Sequence, residues 1–209
     1  EIFFDRGSRF GCGKSDCAVP CGCDRFIEIW NLVFMQYDRQ ADGSDKPLKQ
    51  TGIDTGMGLE RLCLVMEEKE SVFDIDTFKP SIKRIEELTG YKYSESTGVI
   101  KAAFNVLLDH ARSTSLLIAD GCAPSNEGRG YVIRKIIRRA ALFAQKLTDK
   151  SIFPELASLL IDEIKQFYPD LQESKDRVIA VLTSEVERFA ENLNRGKQIL
   201  QGYIEQNRD

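Results

Sequence analysis

The stretch DTGMGLER, from Asp54 to Arg61, holds the residues whose types and spacing best suit chemistry on a phosphate. Gly56 and Gly58 allow a tight turn and a close approach of a ligand to the backbone. They lead into a predicted helix, whose first turn exposes N–H groups that favour anions. Arg61 offers a fork of donors to a phosphate, and Asp54 is placed to receive an ammonium group. Alone, such a pattern is also typical of an ordinary glycine turn before an amphipathic helix.

A second group of candidate ligands lies in a Gly- and Cys-rich loop at residues 9–24, with thiols at Cys12, Cys17, Cys21 and Cys23. Four thiols in so short a loop could surround a tetrahedral Zn²⁺, and the metal would order a segment with little apolar content. The spacing is not that of a standard zinc ribbon, so four reduced thiols in a mobile insert are the alternative.

A third candidate site combines a loop with a basic helix. The loop reads PSNEGRGY, and Asn126 within it could cap a helix or contact a ligand. Residues 124–146 carry a net charge of +5, whereas residues 155–187 carry a net charge of −5. A chain with a pI of about 5.3 thus concentrates cations on one helix. This indicates either a phosphate backbone as partner or a solvated face beside an acidic neighbour.

The elements that must position these residues divide the chain into a strand-containing part, residues 1–70, and an α-helical part, residues 71–209. Residues 26–37 carry apolar side chains on both alternating faces, which predicts a strand in the interior of a sheet, buried on both sides. The polar residues 38–50 predict a connection, and residues 53–55 a short strand before the next helix.

Five helices are predicted in the second part from apolar periodicity and cap residues. They run from Asp76 to Leu88, from Glu95 to Ala119, from a cap at Ser125 or Asn126 to about Leu147, from Phe153 to Phe167, and along a stripe from Val178 to Ile204. Gly90 and Pro169 are predicted to stop two of them. The stripe indicates helix packing more than a coiled coil with a partner.

Composition excludes several classes of protein. With 209 residues, 42% of them hydrophobic and 30% charged, the chain has a globular and not a disordered composition. A net charge of −4 excludes a basic protein that covers nucleic acid without sequence specificity. No apolar run approaches the ~18 residues of a membrane span. Six cysteines without a secretion signal predict reduced thiols or a metal site and not a disulfide framework, and we expect a cytoplasmic location. Because the chain begins at Glu1 and not at Met, we expect a segment of a longer protein.

Four strings of the sequence resemble the alanyl-tRNA synthetase family of the class II aminoacyl-tRNA synthetases. GMGLER is similar to motif 3 of that class, and IDTGMGLERL, preceded by IEIWNLVFMQYDRQADG, is similar to the alanyl family itself. So are EIFFDRG at the start and LLIADGCAPSNEGRGYVIRKIIRRA further on. The resemblance covers residues 1 to about 195. It implies an α+β fold, in which a remnant of the class II antiparallel sheet, from just after motif 2, precedes an all-α helical domain that recognises tRNA.

The resemblance also implies an enzyme, an alanine-tRNA ligase that activates alanine with ATP and transfers it to the 3′ end of alanine tRNA. Asp54 would hold the amino group of alanine and Arg61 the phosphates of ATP, as the catalytic residues. The implied alanine- and ATP-binding residues are Asn31, Val33, Asp54, Gly56, Gly58 and Arg61. Mg²⁺ would accompany ATP.

In the helical domain, the resemblance implies contact of Asn126 with a G·U pair that identifies the acceptor stem of the tRNA. An amide suits the shallow minor groove of RNA, because it both donates and accepts hydrogen bonds. The implied tRNA-binding residues are Asn126, Arg129, Arg134, Lys135 and Arg138. The implied partners are alanine, ATP, alanine tRNA and the remainder of the synthetase chain, without a membrane.

Two other functions stay open from the residues alone: a non-catalytic RNA-binding helical module, and a metal-stabilised interaction domain built on the Cys-rich loop. Motif 1 and the motif 2 strand pair of the family have no counterpart in the chain. We therefore expect the isolated chain not to activate alanine, even if the parent protein does.

Overall fold

A computed structural model describes residues 1–207, which form two compact units. The first unit spans Glu1–Asp76, and the second begins at Thr77. The first contains an antiparallel sheet and a short α-helix, and the second is built from helices. The predicted α+β class is therefore confirmed.

The sheet of the first unit has three strands. They are β1 (Ile2–Asp5), β2 (Phe26–Arg39) and β3 (Asp45–Met57). β2 lies between the other two and pairs antiparallel with both, so its predicted position inside a sheet is confirmed. Helix α1 (Leu59–Met66) follows β3 directly through Gly58.

The prediction that β2 is buried on both faces is wrong for its second half. The first half is partly buried, but the side chains of Val33, Phe34 and Tyr37 are 51%, 65% and 60% exposed. Apolar alternation shows only that both faces are apolar, whereas a covering layer has to come from other elements. The residues of the first unit, all of which the structure describes, leave this half of the strand uncovered.

Of residues 38–50, predicted as a polar connection, residues 38–39 belong to β2 and residues 45–50 to β3 instead. The turn is confined to residues 40–44, where Gly43 adopts a φ of 85° that glycine takes without a Cβ clash. Pro47 is tolerated because β3 is an edge strand, so its missing N–H removes no bond from the sheet interior. The short strand predicted at residues 53–55 is the end of this longer element.

The second unit consists of helices packed around α3. Its helices are α2 (Lys79–Thr89), α3 (Gly98–Ala119), α4 (Gly128–Ala144), α5 (Phe153–Ile164), α6 (Pro169–Glu173) and α7 (Lys175–Gln206). Helix α3 contacts α4, α5 and α7. The largest fully buried side chains include Phe104, Leu107, Leu108, Ile137, Phe153, Ile161 and Leu182.

All five predicted helices are present, with different ends. Helices α2 and α3 begin three residues later than predicted, and α4 and α5 end three residues earlier. Gly90 stops α2 in the left-handed conformation, as predicted. The predicted cap at Ser125 or Asn126 is wrong, because Glu127 occupies the N-cap of α4. Pro169, predicted to stop α5, instead begins α6 five residues after the end of α5, since proline suits the first turn of a helix.

The apolar stripe of α7 is buried only in the first half of the helix. Val178 and Leu182 are fully buried and Val186 is nearly so, which confirms the predicted packing there. Leu200 and Ile204, further along the stripe, are 60% and 44% exposed. Among residues 1–207, no helix combines the length and the apolar character that crossing a membrane requires.

Candidate functional site

Four of the predicted ligand-binding residues lie on one face of the sheet. In the antiparallel pairing of β2 with β3, Asn31 lies opposite Gly56 and Val33 lies opposite Asp54. Directly opposed residues of an antiparallel pair project to the same face, and alternate residues along a strand share that face. Asp54 is exposed and Val33 is half-exposed, so this face is open to a ligand.

A β-bulge brings Glu28 to the same region as Asn31. Ile2 pairs with Trp30 and Phe3 with Glu28, so Ile29 is an extra residue without a partner on β1. Such a bulge changes the direction of neighbouring side chains. The Asn31 amide donates to the Glu28 carboxylate, with 3.1 Å between Nδ2 and Oε1. Simple alternation, which assigned these two side chains to opposite faces, is therefore wrong here.

The start of α1 is fastened to β2 by two hydrogen bonds. The backbone N–H of Gly58 donates to the Ile29 carbonyl at 3.1 Å, and Nη1 of Arg61 donates to the Glu28 carbonyl at 3.0 Å. The Arg61 guanidinium also lies 3.9 Å from the Glu28 carboxylate, while about half of its side chain stays exposed. Arg61 is thus held at the helix start with donors still available to an anion.

The two glycines of this site have different surroundings. A Cβ added at Gly56 would have no atom within 4 Å, so it would project into the open space above the sheet face. A Cβ at Gly58 would touch the Arg61 side chain at 3.4 Å, an ordinary contact distance. The sheet face beside Asn31 therefore has room for a flat ligand that approaches the backbone at Gly56.

The four thiols of the Cys-rich loop converge. The sulfur atoms of Cys12, Cys17, Cys21 and Cys23 all lie within 4.8 Å of one another. The Cys12 and Cys21 sulfurs are 3.1 Å apart, and those of Cys17 and Cys23 are 3.6 Å apart. Zinc–sulfur bonds of about 2.3 Å in a tetrahedron require sulfur separations of roughly 3.8 Å. The four donors therefore need only small shifts to hold one Zn²⁺.

Backbone N–H groups, burial and bonds between the thiols give the four cysteines unequal pKa values. The pKa of Cys12 is lowered to about 7, mainly by a hydrogen bond from the backbone N–H of Lys14 and also by the Cys21 thiol. The pKa of Cys21 is raised to about 12, mainly because its thiol bonds to Cys12. Burial raises the pKa of Cys17, and the backbone N–H of Arg25 lowers that of Cys23.

An ion pair fastens the end of the Cys-rich loop to β1. Arg25 donates to both carboxylate oxygens of Asp5, at 2.8 and 2.7 Å. These bonds lower the pKa of Asp5 to about 2. Because this pKa lies below its ordinary value, the pair stabilises the fold at neutral pH and is lost as the pH falls towards 2.

The cations predicted to meet RNA divide into two groups on α4. Arg129 and Lys135 are exposed. Arg134 and Arg138 instead turn to Glu185 of α7, whose Oε1 lies 3.1 Å from Nε of Arg134 and 2.9 Å from Nε of Arg138. Nε of Arg138 donates a hydrogen bond to this oxygen, whereas Nε of Arg134 forms an ion pair with it but no hydrogen bond. Glu185, an acidic residue beside the apolar stripe of α7, is not among the site residues that the sequence predicts.

Asn126 is exposed in the loop before α4, and its amide has a partner. Its Oδ1 accepts a short hydrogen bond from Nη1 of Arg134. Ser125 likewise does not cap the helix, since its hydroxyl donates to the Glu127 carbonyl at 2.7 Å. The loop therefore presents Asn126 through a side-chain contact with α4.

Close packing of this loop on α4 depends on Gly130. A Cβ there would lie 2.4 Å from the Ala123 carbonyl oxygen and 2.4 Å from the Ser125 hydroxyl. We expect Gly130→Ala to destabilise the second unit by about 1–3 kcal/mol, because the loop has to move away. Urea unfolding followed by helical circular dichroism measures the change. Gly196→Ala is the control: it meets no atom within 4 Å, and we expect a gain of about 0.5–1 kcal/mol. Equal effects would contradict the close approach at Gly130.

Comparison with known proteins gives consistent results over the whole chain. The family model for tRNA synthetases class II (A) matches residues 1–209. An alanine–tRNA ligase of Acetivibrio thermocellus is 47% identical over 211 residues, which cover 100% of this chain and 24% of that protein. Alanine–tRNA ligases of Desulfosudis oleivorans and Alkaliphilus oremlandii are each 43% identical and cover 96% and 99% of the chain. The chain spans about a quarter of the length of these relatives.

Proposed function

Because the chain belongs to the class II (A) tRNA synthetase family, we propose that it is a segment of an alanine–tRNA ligase. The parent enzyme joins the carboxylate of alanine to the α-phosphate of ATP and releases pyrophosphate. The alanyl group then passes to the 3′-terminal adenosine of alanine tRNA, and AMP leaves. The residues up to about 70 belong to the catalytic part, and the remainder to the tRNA-recognition part.

The observation that carries this proposal is the common face of Asn31, Val33, Asp54 and Gly56 beside the anchored Arg61. Asp54 offers a carboxylate to the ammonium group of alanine, while Val33 and Asn31 bound a small side-chain pocket. Arg61 binds the phosphates of ATP, and Gly56 and Gly58 let the adenylate lie on the backbone. These groups act by positioning and by stabilising negative charge on the phosphates.

Mg²⁺ fits this site as an ion that ATP brings with it. The carboxylates at the site are the hard oxygen ligands that Mg²⁺ prefers, but Glu28 already binds Asn31 and contacts Arg61, and Asp54 is assigned to alanine. We therefore assign the metal to the phosphate oxygens, where it neutralises part of their charge.

Pyrophosphate exchange tests the catalytic assignment. We expect a chimera, in which this chain replaces the matching 211 residues of the Acetivibrio thermocellus relative, to exchange pyrophosphate with ATP when alanine is present. The isolated chain should give no exchange. A folded chimera without alanine-dependent exchange would overturn the catalytic assignment and favour a non-catalytic RNA-binding helical module.

For the second unit, we propose that the exposed face around Asn126 reads the acceptor stem. Arg129 and Lys135 bind the RNA phosphates, and Arg134 and Arg138 are the neighbouring cations on α4. The exposed amide and the excess of cations on α4 support this assignment. The test is binding of the chain to an alanine tRNA acceptor-stem hairpin with G·U against one with G·C, at one stated salt concentration. A preference for G·U that Asn126→Ala removes is the expected result. Equal binding of both hairpins would overturn the assignment.

We also propose that Cys12, Cys17, Cys21 and Cys23 hold a structural Zn²⁺. Two observations support this site. All four sulfurs lie within 4.8 Å of one another, and four thiolates are a common ligand set for structural zinc. None of residues 8–24, all described, is buried, so apolar packing contributes little to the order of this loop. A metal would supply that order. The proposed location is cytoplasmic, which suits the six free thiols.

Metal analysis and thiol titration test the zinc site. We expect one Zn²⁺ per chain purified under reducing conditions, and four fewer titratable thiols of the six when zinc is bound. Cys21→Ser should lose the metal, whereas Cys122→Ser, in the second unit, should keep it. A chain that holds no zinc at neutral pH after equilibration with one equivalent would remove the proposal, and with it the metal-stabilised interaction domain.

A further inference from the structure

The carboxylate of Glu185 is the most deeply buried charge near the Asn126 loop. Glu185 is 4% exposed, and two arginine Nε atoms of α4 lie within 3.1 Å of its Oε1. Its two cationic neighbours are also partly buried, since the side chains of Arg134 and Arg138 are 15% and 37% exposed. A carboxylate in such a place is retained only with close cationic partners, because losing the solvation of a charge costs several kcal/mol.

One of these arginines connects Glu185 to the loop. Arg134 meets Glu185 through Nε and donates from Nη1 to Oδ1 of Asn126. The guanidinium is planar and its side chain is only 15% exposed, so the ion pair with the buried carboxylate limits the direction of its other donors. The Asn126 amide is then held with its oxygen towards Arg134, and its Nδ2 hydrogens and one lone pair of Oδ1 are left for a ligand.

The same contact places α7 beside the loop. A groove of about 330 Å³ is lined by Pro124 of the loop, Arg134 of α4, and Ser184, Glu185 and Arg188 of α7. Arg134, the residue that Asn126 contacts, therefore lines a groove that three parts of the second unit build together.

We propose that Glu185 is a positioning residue for recognition of the acceptor stem, which acts through Arg134 to orient the amide of Asn126. The proposal rests on the function proposed above for the second unit. It assigns Arg134 mainly to the loop and not to RNA phosphate, because Arg134 already pairs with Glu185 and donates to Asn126. Base discrimination by Asn126 thus depends on a residue of α7 that does not itself touch RNA.

Glu185→Gln separates this role from a merely structural one. The variant keeps the shape of the side chain but removes the charge that holds Arg134 and Arg138. We expect the preference for the G·U hairpin over the G·C hairpin to fall roughly tenfold, the size of one lost specific hydrogen bond. Affinity for both hairpins at low salt should rise, and the slope of log K against log salt should steepen by roughly 0.7–0.9 per freed cation. A packing defect alone would lower both affinities without a steeper salt slope.

Controls make the outcomes distinct. Glu187→Gln makes the same charge change at an exposed position of α7 and should leave the preference unchanged. If Glu185 acts through Asn126, the double variant Glu185→Gln, Asn126→Ala should discriminate no worse than Asn126→Ala alone. Binding is measured at a temperature at which circular dichroism shows each variant folded. A G·U preference that Glu185→Gln retains would overturn the inference, whereas a wild-type chain without any preference would overturn the function on which it rests.

Discussion

Arg61→Ala is expected to lower alanine-dependent pyrophosphate exchange by roughly 10²–10³-fold in the chimera described above, the usual cost of removing one donor to the charge that develops in a transition state. The guanidinium is fastened to the Glu28 carbonyl at 3.0 Å, so under the proposed function it would bind the phosphates without first having to be ordered. Arg61→Lys keeps the charge but loses the fork of donors, and we expect it to recover only part of the activity.

The control for Arg61 is another arginine of the same sheet. Arg39→Ala removes a cation that is 73% exposed and paired with Asp45 at the hairpin, and it should leave exchange within about twofold. Trp30 is the single tryptophan of this chain, so its fluorescence in the isolated chain reports whether the sheet stays folded in each variant. Full exchange activity in a folded Arg61→Ala variant would exclude Arg61 from the binding of ATP.

Phe104→Ala is expected to destabilise the helical unit by about 3–5 kcal/mol. The ring is fully buried in α3 and lies 5.4 Å from the ring of Tyr93, so its removal loses burial and an aromatic contact and leaves a cavity. Such a loss is a large part of the 5–15 kcal/mol that typically stabilises a domain.

Urea unfolding followed by two probes measures this effect and assigns it to one unit. Helical circular dichroism reports mainly the second unit, whereas Trp30 lies in the sheet of the first. The dichroism transition should move to lower urea and the fluorescence transition should stay. Phe167→Ala, at a ring that is 73% exposed, is the matched control and should change the free energy of unfolding by less than about 0.5 kcal/mol. Equal shifts for both variants would contradict a core around Phe104.

Much of the local structure was predictable because its causes lie within a few residues. The α+β class follows from the change from two-residue to 3.6-residue periodicity. Gly90 ends α2 because glycine takes the left-handed conformation that a helix stop requires. The predicted helix ends are also wrong by only a few residues, since α2 and α3 begin three residues later than predicted. Pro169 was predicted as a stop, although proline at a first turn is also a start.

The tertiary structure decided which faces of the strands are covered by other elements and which partners the charged side chains meet. The sequence of β2 predicts two apolar faces, but whether Phe34 is buried depends on which elements lie over it. The β-bulge at Ile29 arises from the register with β1, and only that register brings Glu28 to Asn31. Neither outcome is encoded in the alternation of the strand itself.

The sequence by itself determined strand β2, the helices other than α6, the candidate ligands and the resemblance to one synthetase family, because each of these depends on residue types at short spacing. Only the tertiary structure decided that Arg134 meets Glu185 and Asn126, and that four cysteines bring their sulfurs together. The reason is that a charge pairs with whatever the packing of helices places within about 4 Å of it. For Arg138 and Glu185, 47 residues apart in the chain, that placement follows from the contact of α4 with α7.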